Sequence, residues 1–291
     1  MFIDIHVHTR RTPGLPREDK LTYATPAQLV ERFDAIGIEK AVLLPSASPE
    51  CARQGQSVED VLAVCDEHPG RFIPFCNVDP RSLTNSPEAP LGELLGFYRD
   101  KGCKGVGEVT ANLPFDDPMV LNLLGHCEAL AMPVTFHMSP TIGGNYGLYD
   151  EPGLPRLEKA LRQFPELTFL GHSQVFWAEI GPLDDPSQRG GYPSGPVAAG
   201  GRVVELMRRY PNLHGDLSAN SGYNAVSRDE AFGCEFLDEF QDRLCFGTDI
   251  CSPQTPTPLV GHLLGLLERQ KISQEVFQKV AASNAARLLG L

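Results

Sequence analysis

Short apolar runs rich in β-branched and aromatic residues alternate with longer segments of helical period from one end of the chain to the other. The runs 2–7, 39–45, 71–78, 103–109, 133–138, 167–172, 212–218 and 243–248 have strand length and composition. Between them, 26–36, 57–67, 91–100, 117–130, 154–163, 201–209, 228–240 and 257–268 carry helical periodicity, and 273–289 adds a final amphipathic helix. Eight strand–helix alternations predict an α/β fold with a parallel sheet, the (β/α)8 TIM barrel, in one domain over 1–291 with a C-terminal helical segment.

The connections are unequal. Helix-to-strand links are tight and reuse one chemistry, His68-Pro69-Gly70, Phe164-Pro165-Glu166 and Tyr210-Pro211-Asn212, in which proline stops the helix. Strand-to-helix links are long, notably 9–25, 139–153 and 173–200, and in a barrel these build the active site. The glycine-rich part of 173–200 is expected to cover that site, and Tyr146, Tyr149 and Trp177 to line it.

Composition adds limits rather than direction. With 291 residues, 42% hydrophobic and 21% charged, the chain can bury a sizeable core. A formal net charge of -12 argues against nucleic acid or an anionic membrane as partner, and no apolar run is long enough to span a bilayer. A cytoplasmic protein acting on a small molecule is expected. The eight cysteines are scattered, none within CxxC spacing of another, and read as reduced small hydrophobes.

Ligand-type residues gather at the predicted strand ends. His6 and His8 are two apart on the first strand, so their imidazoles share a face. His137 closes the fifth strand, His172 the sixth and Asp249 the eighth, and Glu108 ends the fourth. On the seventh, His214, Asp216 and Ser218 alternate onto one face. Ser218 and Asn220 are candidate substrate contacts, and His214 reads as an interior histidine.

With HVH on the first strand, FH on the fifth, GHS on the sixth and FGTD on the eighth, the whole chain resembles the amidohydrolase superfamily. The similarity is to its branch containing amino-carboxymuconate-semialdehyde decarboxylase. The resemblance implies that His6, His8, His137 and Asp249 surround a divalent metal, zinc by the chemistry of the donors, and that Asp249 moves protons while His172 faces the substrate. One ion is favoured. Glu108 is the alternative ligand that, in some relatives, bridges two ions, His137 and His172 then serving the second. Arg10, two residues after His8, matches an arginine that grips a substrate carboxylate in the dihydroorotase branch; the alternative is a solvated arginine at the start of the 9–25 loop.

The expected activity is hydrolysis of an amide, lactone or other ester of a small, carboxylated molecule. Decarboxylation on the same metal cage is the runner-up, and a ligand-binding barrel without catalysis comes third. The resemblance also allows a homo-oligomer.

Overall fold

A computed structural model of the chain describes residues 1–17, 20–51, 54–183 and 185–291. In chain order the strands are β1 (Phe2–Val7), β2 (Ile38–Leu43), β3 (Phe72–Pro74), β4 (Val106–Val109), β5 (Val134–Ser139), β6 (Leu148–Tyr149), β7 (Phe169–His172), β8 (Leu213–Asp216) and β9 (Leu244–Cys245). All pairings between these strands are parallel. One sheet runs β1-β2-β3 and the other β4-β5-β7-β8-β9, with β6 a short addition to the end of β5. Single bridges join the two sheets at both seams, Cys76 to Val106 and Val7 to Ile250. The second seam is reinforced where Ile5 N–H donates to the Phe246 carbonyl (2.9 Å) and Asp249 N–H to that of His6 (2.8 Å). The fold is a (β/α)8 barrel, with β6 outside the count of eight.

The helices are α1 (Pro26–Ile36), α2 (Val58–Glu67), α3 (Leu91–Asp100), α4 (Pro118–Ala129), α5 (Pro155–Gln163), α6 (Gln174–Ala178), α7 (Arg202–Arg209), α8 (Ala219–Ser227), α9 (Glu230–Glu239), α10 (Pro258–Glu268), α11 (Gln274–Gln278) and α12 (Asn284–Leu289). Their limits follow local chemistry. Thr25 and Gln28 form a reciprocal capping box at the start of α1, and Pro26 occupies its first turn. Helices α2, α5 and α7 stop at His68, Phe164 and Tyr210, each followed by proline. On α7, Val203, Val204, Leu206 and Met207 are buried while Arg208 and Arg209 face solvent. Each such apolar side chain contributes roughly 1.5–3 kcal/mol by leaving water.

Three features depart from the periodicity. Helix α8 is spelled with Ser, Asn and Gly, which prefer caps and turns to helix interiors, and it holds its shape by burying Ser221, Gly222, Ala225 and Val226. The short α6 begins directly after β7, where the Ser173 hydroxyl caps it. The segment 273–289 is α11, a wider π turn over Lys279–Ser283 and α12, not one helix.

The core has two parts. The larger lies between strands and helices. The smaller unites Ile3, Ile5, Val42, Leu44, Ile73 and Phe75 with Ala285 and Leu289 of α12, which packs on β1 and β9. The β1–β2 register is irregular between Asp4 and Val7. Such a bulge re-aims side chains: Ile5 stays in the apolar layer while its neighbour His6 enters the polar cage above it.

Candidate metal centre and substrate cavity

His6 and His8 turn their Nε2 atoms to one point, 3.1 Å apart. Their other ring nitrogens are occupied. His6 Nδ1–H donates to Asp216 Oδ2 at 2.6 Å, and His8 Nδ1–H to the Leu44 carbonyl at 2.9 Å. Both partners are pure acceptors, so each fixes the tautomer that leaves an Nε2 lone pair facing the cage. Two converging lone pairs in a buried polar space suit a cation, and imidazole with carboxylate suits a borderline divalent ion.

Glu108 divides the cage. Its Oε2 lies 3.6 Å from His8 Nε2 and 3.8 Å from His6 Nε2, while its Oε1 lies 2.7 Å from His137 Nδ1 and 3.7 Å from His172 Nε2. Gly107 precedes it at φ 149, and a Cβ there would meet the Thr135 carbonyl oxygen at 2.7 Å, so the strand presents Glu108 only with glycine before it. His172 is held from behind by Ser218, whose Oγ lies 2.9 Å from Nδ1.

Asp249 closes the open side, with Oδ1 3.6 Å from His8 Nε2 and 3.7 Å from His6 Nε2, and its side chain is 25% exposed where the other groups are nearly buried. Its backbone position derives from Asp4, which accepts from Thr248 N–H (3.0 Å), Thr248 Oγ1 (2.5 Å) and His6 N–H (3.0 Å). Among the described residues, four donor groups have ligand atoms close enough to share an ion: His6–His8–Glu108, His6–His172–Asp249, His8–Asp249–Cys251 and Glu108–His137–His172.

The charges are distributed accordingly. Burial alone would depress His6, but Asp216, Asp249 and Glu108 outweigh it and raise the imidazole to about 10, so a cation entering the cage must displace the proton on Nε2 to use its lone pair. His172 is driven down to about 4, first by burial and then by His6, and is neutral at pH 7. Burial would raise Glu108, yet His137, His8 and His6 keep it well below the usual carboxylate range. Asp4, buried without a cationic partner of its own, is pushed up to about 7.

Above the cage opens a cavity of about 810 Å³, reached by His8, Glu108, His137 and Asp249. Its walls come from Arg10, Leu15, Pro16, Arg17 and Tyr23, from Ser46, Pro49, Glu50, Cys51 and Gln54, from Gly144, Asn145 and Tyr146, and from Cys251. Arg10 is there, with its guanidinium hydrogen-bonded to the carbonyls of Gln54 and Gly55 and lying over the Tyr23 ring. Tyr146 stacks obliquely on His137 at 4.6 Å.

Every predicted ligand therefore comes to one place, but not in one shell. His137 groups with Glu108 and His172, not with His6 and His8. His172 is 2% exposed and lies behind the cavity wall. Ser218 serves His172, and Asn220 is exposed outside the cavity. Tyr149 lies beside Arg156, and Trp177 is buried with its Nε1–H on the Asp216 carbonyl.

The 173–200 segment does not cover the cavity among the described residues. Buried Arg189 ties it to Glu179 and the Asp150 carbonyl, and Pro193 and Val197 bond to Asn224 and Asp229, drawing it over α8 and α9. The loop after β2 supplies the wall instead. Sequence reasoning also gave no role to Asp216, the pocket residues Cys251, Arg17 and Tyr23, or the anchor Asp4. Alternation with His214 and Ser218 was the only signal for the first.

Residues 3–291 match the family model for Amidohydrolase, and the chain belongs to that family. Solved structures share the fold. An amidohydrolase from Burkholderia multivorans with bound zinc is 15% identical, covers 100% of this chain and 99% of its own, and gives a TM-score of 0.65. A probable 2-pyrone-4,6-dicarboxylic acid hydrolase from Acinetobacter baumannii, with citric acid bound, is 12% identical over 100% and 99%, TM-score 0.60. The 2,6-dihydroxybenzoate decarboxylase from Rhizobium is 17% identical over 99% and 98%, TM-score 0.60. No curated protein matches the chain. Among the described residues, no helix is long and apolar enough to cross a membrane.

Proposed function

We propose that the chain is a metal-dependent hydrolase that cleaves an amide, lactone or other ester bond of a small carboxylated molecule. The observation that carries this is Asp249: its carboxylate reaches both cage histidines and is also the part of the cage most open to the cavity. A group so placed can take a proton from an attacking water and return it to the leaving atom. A divalent ion bound here supplies Lewis acidity and lowers the pKa of water.

His6, His8 and Asp249 lie on one side of Glu108 and His137 on the other, while His172 shares a donor group with each side. This division supports two ions over one. The zinc in the Burkholderia neighbour and the neutral imidazole of His172 support zinc. Arg10 holds the cavity wall through the carbonyls of Gln54 and Gly55.

Two measurements test this. Metal analysis after zinc loading is expected to find two ions per chain, and one or fewer after Glu108→Gln. Turnover in ¹⁸O-labelled water, over a panel of lactones and acyl amides bearing a carboxylate and of aromatic acids, is expected to place label in the product. Release of carbon dioxide without label would instead assign decarboxylation, which the Rhizobium neighbour performs by its name.

A further inference from the structure

Of the two arginines in the cavity, one is committed to the wall and the other has no carboxylate partner among the described residues. Arg10 spends its guanidinium on the carbonyls of Gln54 and Gly55, which belong to the wall. Arg17 has its Cζ 5.3 Å from the centre of the Tyr23 ring and lies against Cys251, and no carboxylate pairs with it among the described residues. Among the described residues, Asp249 is an acid whose charge acts on it, and that charge belongs to the cage. In a chain with 37 acidic and 25 basic side chains, a guanidinium turned into a cavity with no acidic partner among the described residues is a charge suited to an incoming anion.

Its placement is built. Arg17 N–H donates to the Leu21 carbonyl (2.8 Å) and Lys20 N–H to that of Arg17 (3.0 Å). Tyr23 is followed by Ala24, whose N–H donates to the Cys251 carbonyl (2.8 Å) and whose own carbonyl accepts from Arg10 N–H and Thr9 Oγ1. The ring is thereby fixed to the ends of β1 and of the segment after β9, and the guanidinium rests on it. A planar fork held this way loses little freedom on binding and matches a carboxylate in a bidentate pair.

We propose that Arg17 is the specificity-determining residue that receives the substrate carboxylate, with Tyr23 holding its guanidinium and Arg10 positioning the 54–55 wall. This rests on the carboxylated substrate of the proposed function. A carboxylate on Arg17 stands beside Asp249, so the bond to be cleaved lies within a few atoms of the acid group.

The test is the ratio of affinities for matched acids and amides, benzoate against benzamide and glutarate against glutaramide, by calorimetry on the zinc-loaded full chain. The wild-type chain is expected to favour the acid. Arg17→Gln is expected to cut that ratio by about tenfold or more, as loss of a charged hydrogen-bonded pair requires. Arg17→Lys should recover part of it, and Arg10→Gln should weaken acid and amide alike and leave the ratio.

An unchanged ratio in Arg17→Gln overturns the proposal. A ratio lost only in Arg10→Gln overturns it too, while the carboxylate reading survives. No preference for the acid in the wild-type chain sinks both. Should the variants fail to fold, phenylglyoxal modification of the wild-type chain decides. Peptide mass mapping is expected to show benzoate, not benzamide, protecting Arg17, and equal modification overturns the assignment.

Discussion

Replacing Asp216 by asparagine probes the contact on which His6 depends. The carboxylate accepts from His6 Nδ1–H at 2.6 Å through one oxygen and from Ser218 N–H at 3.0 Å through the other, and both side chains of the Asp216–His6 pair are fully buried. Asparagine has one acceptor and one donor, so it cannot serve both. If its oxygen stays on Ser218, its amide donates to His6 Nδ1 and moves the imidazole proton to Nε2, closing the lone pair that faces the cage. If its oxygen turns to His6, the amide confronts the Ser218 N–H.

Either arrangement removes the charge that holds the His6 ring. Loss of such a partner typically weakens metal affinity by about 10–100-fold, or about 1.4–2.7 kcal/mol, and the tautomer argument places Asp216→Asn near the upper end. The assay is competition for zinc against a chromophoric chelator at neutral pH, with circular dichroism to confirm the fold. A well-folded variant whose zinc affinity stays within about threefold of wild type would refute the reasoning that His6 is a ligand oriented by Asp216.

Three further substitutions test neighbouring contacts. Ser218→Ala removes the partner of His172 Nδ1 and should lower unfolding free energy by about 1 kcal/mol in urea, with weaker zinc binding; unchanged values would show that the ring is held by other contacts. Gly247→Ala sets a Cβ 2.7 Å from that of Ser218 and 2.9 Å from Asp216 Oδ1, and should cost about 1–3 kcal/mol in the same urea assay, with partial loss of zinc. His214, with its Nδ1 buried and unpartnered, is depressed to about 4 by burial and then by Arg243 and Arg287. The unfolded chain binds this proton near pH 6.5 and the folded chain only near 4, so stability is complete above 6.5 and falls as pH drops through that window. Denaturant melts at both ends of the window should show a smaller acid loss in His214→Gln, and an equal loss would remove His214 as the cause.

Much of this protein was decided within short stretches of chain. The strand positions and most helix limits were legible, because burial writes a period of two or 3.6 into local sequence and because proline at Pro69, Pro165 and Pro211 stops helices by covalent geometry. The donors at strand ends were legible for a related reason: once eight alternations imply a barrel, His6, His8, Glu108, His137, His172 and Asp249 must gather at one rim.

What the chain could not state locally was how that rim is divided. His6 and Asp216 are 210 positions apart and meet only when the barrel closes. Glu108 comes between two pairs of histidines because β4 lies beside β5 and across from β1, a relation of strand order. Loop composition suggested a cover from 173–200, but buried Arg189 holds that segment aside, and the wall comes from the loop after β2. Periodicity tells which side of its own element a residue occupies; which distant element it then faces is set by closure, and the contacts that orient the cage and shape the cavity arise there.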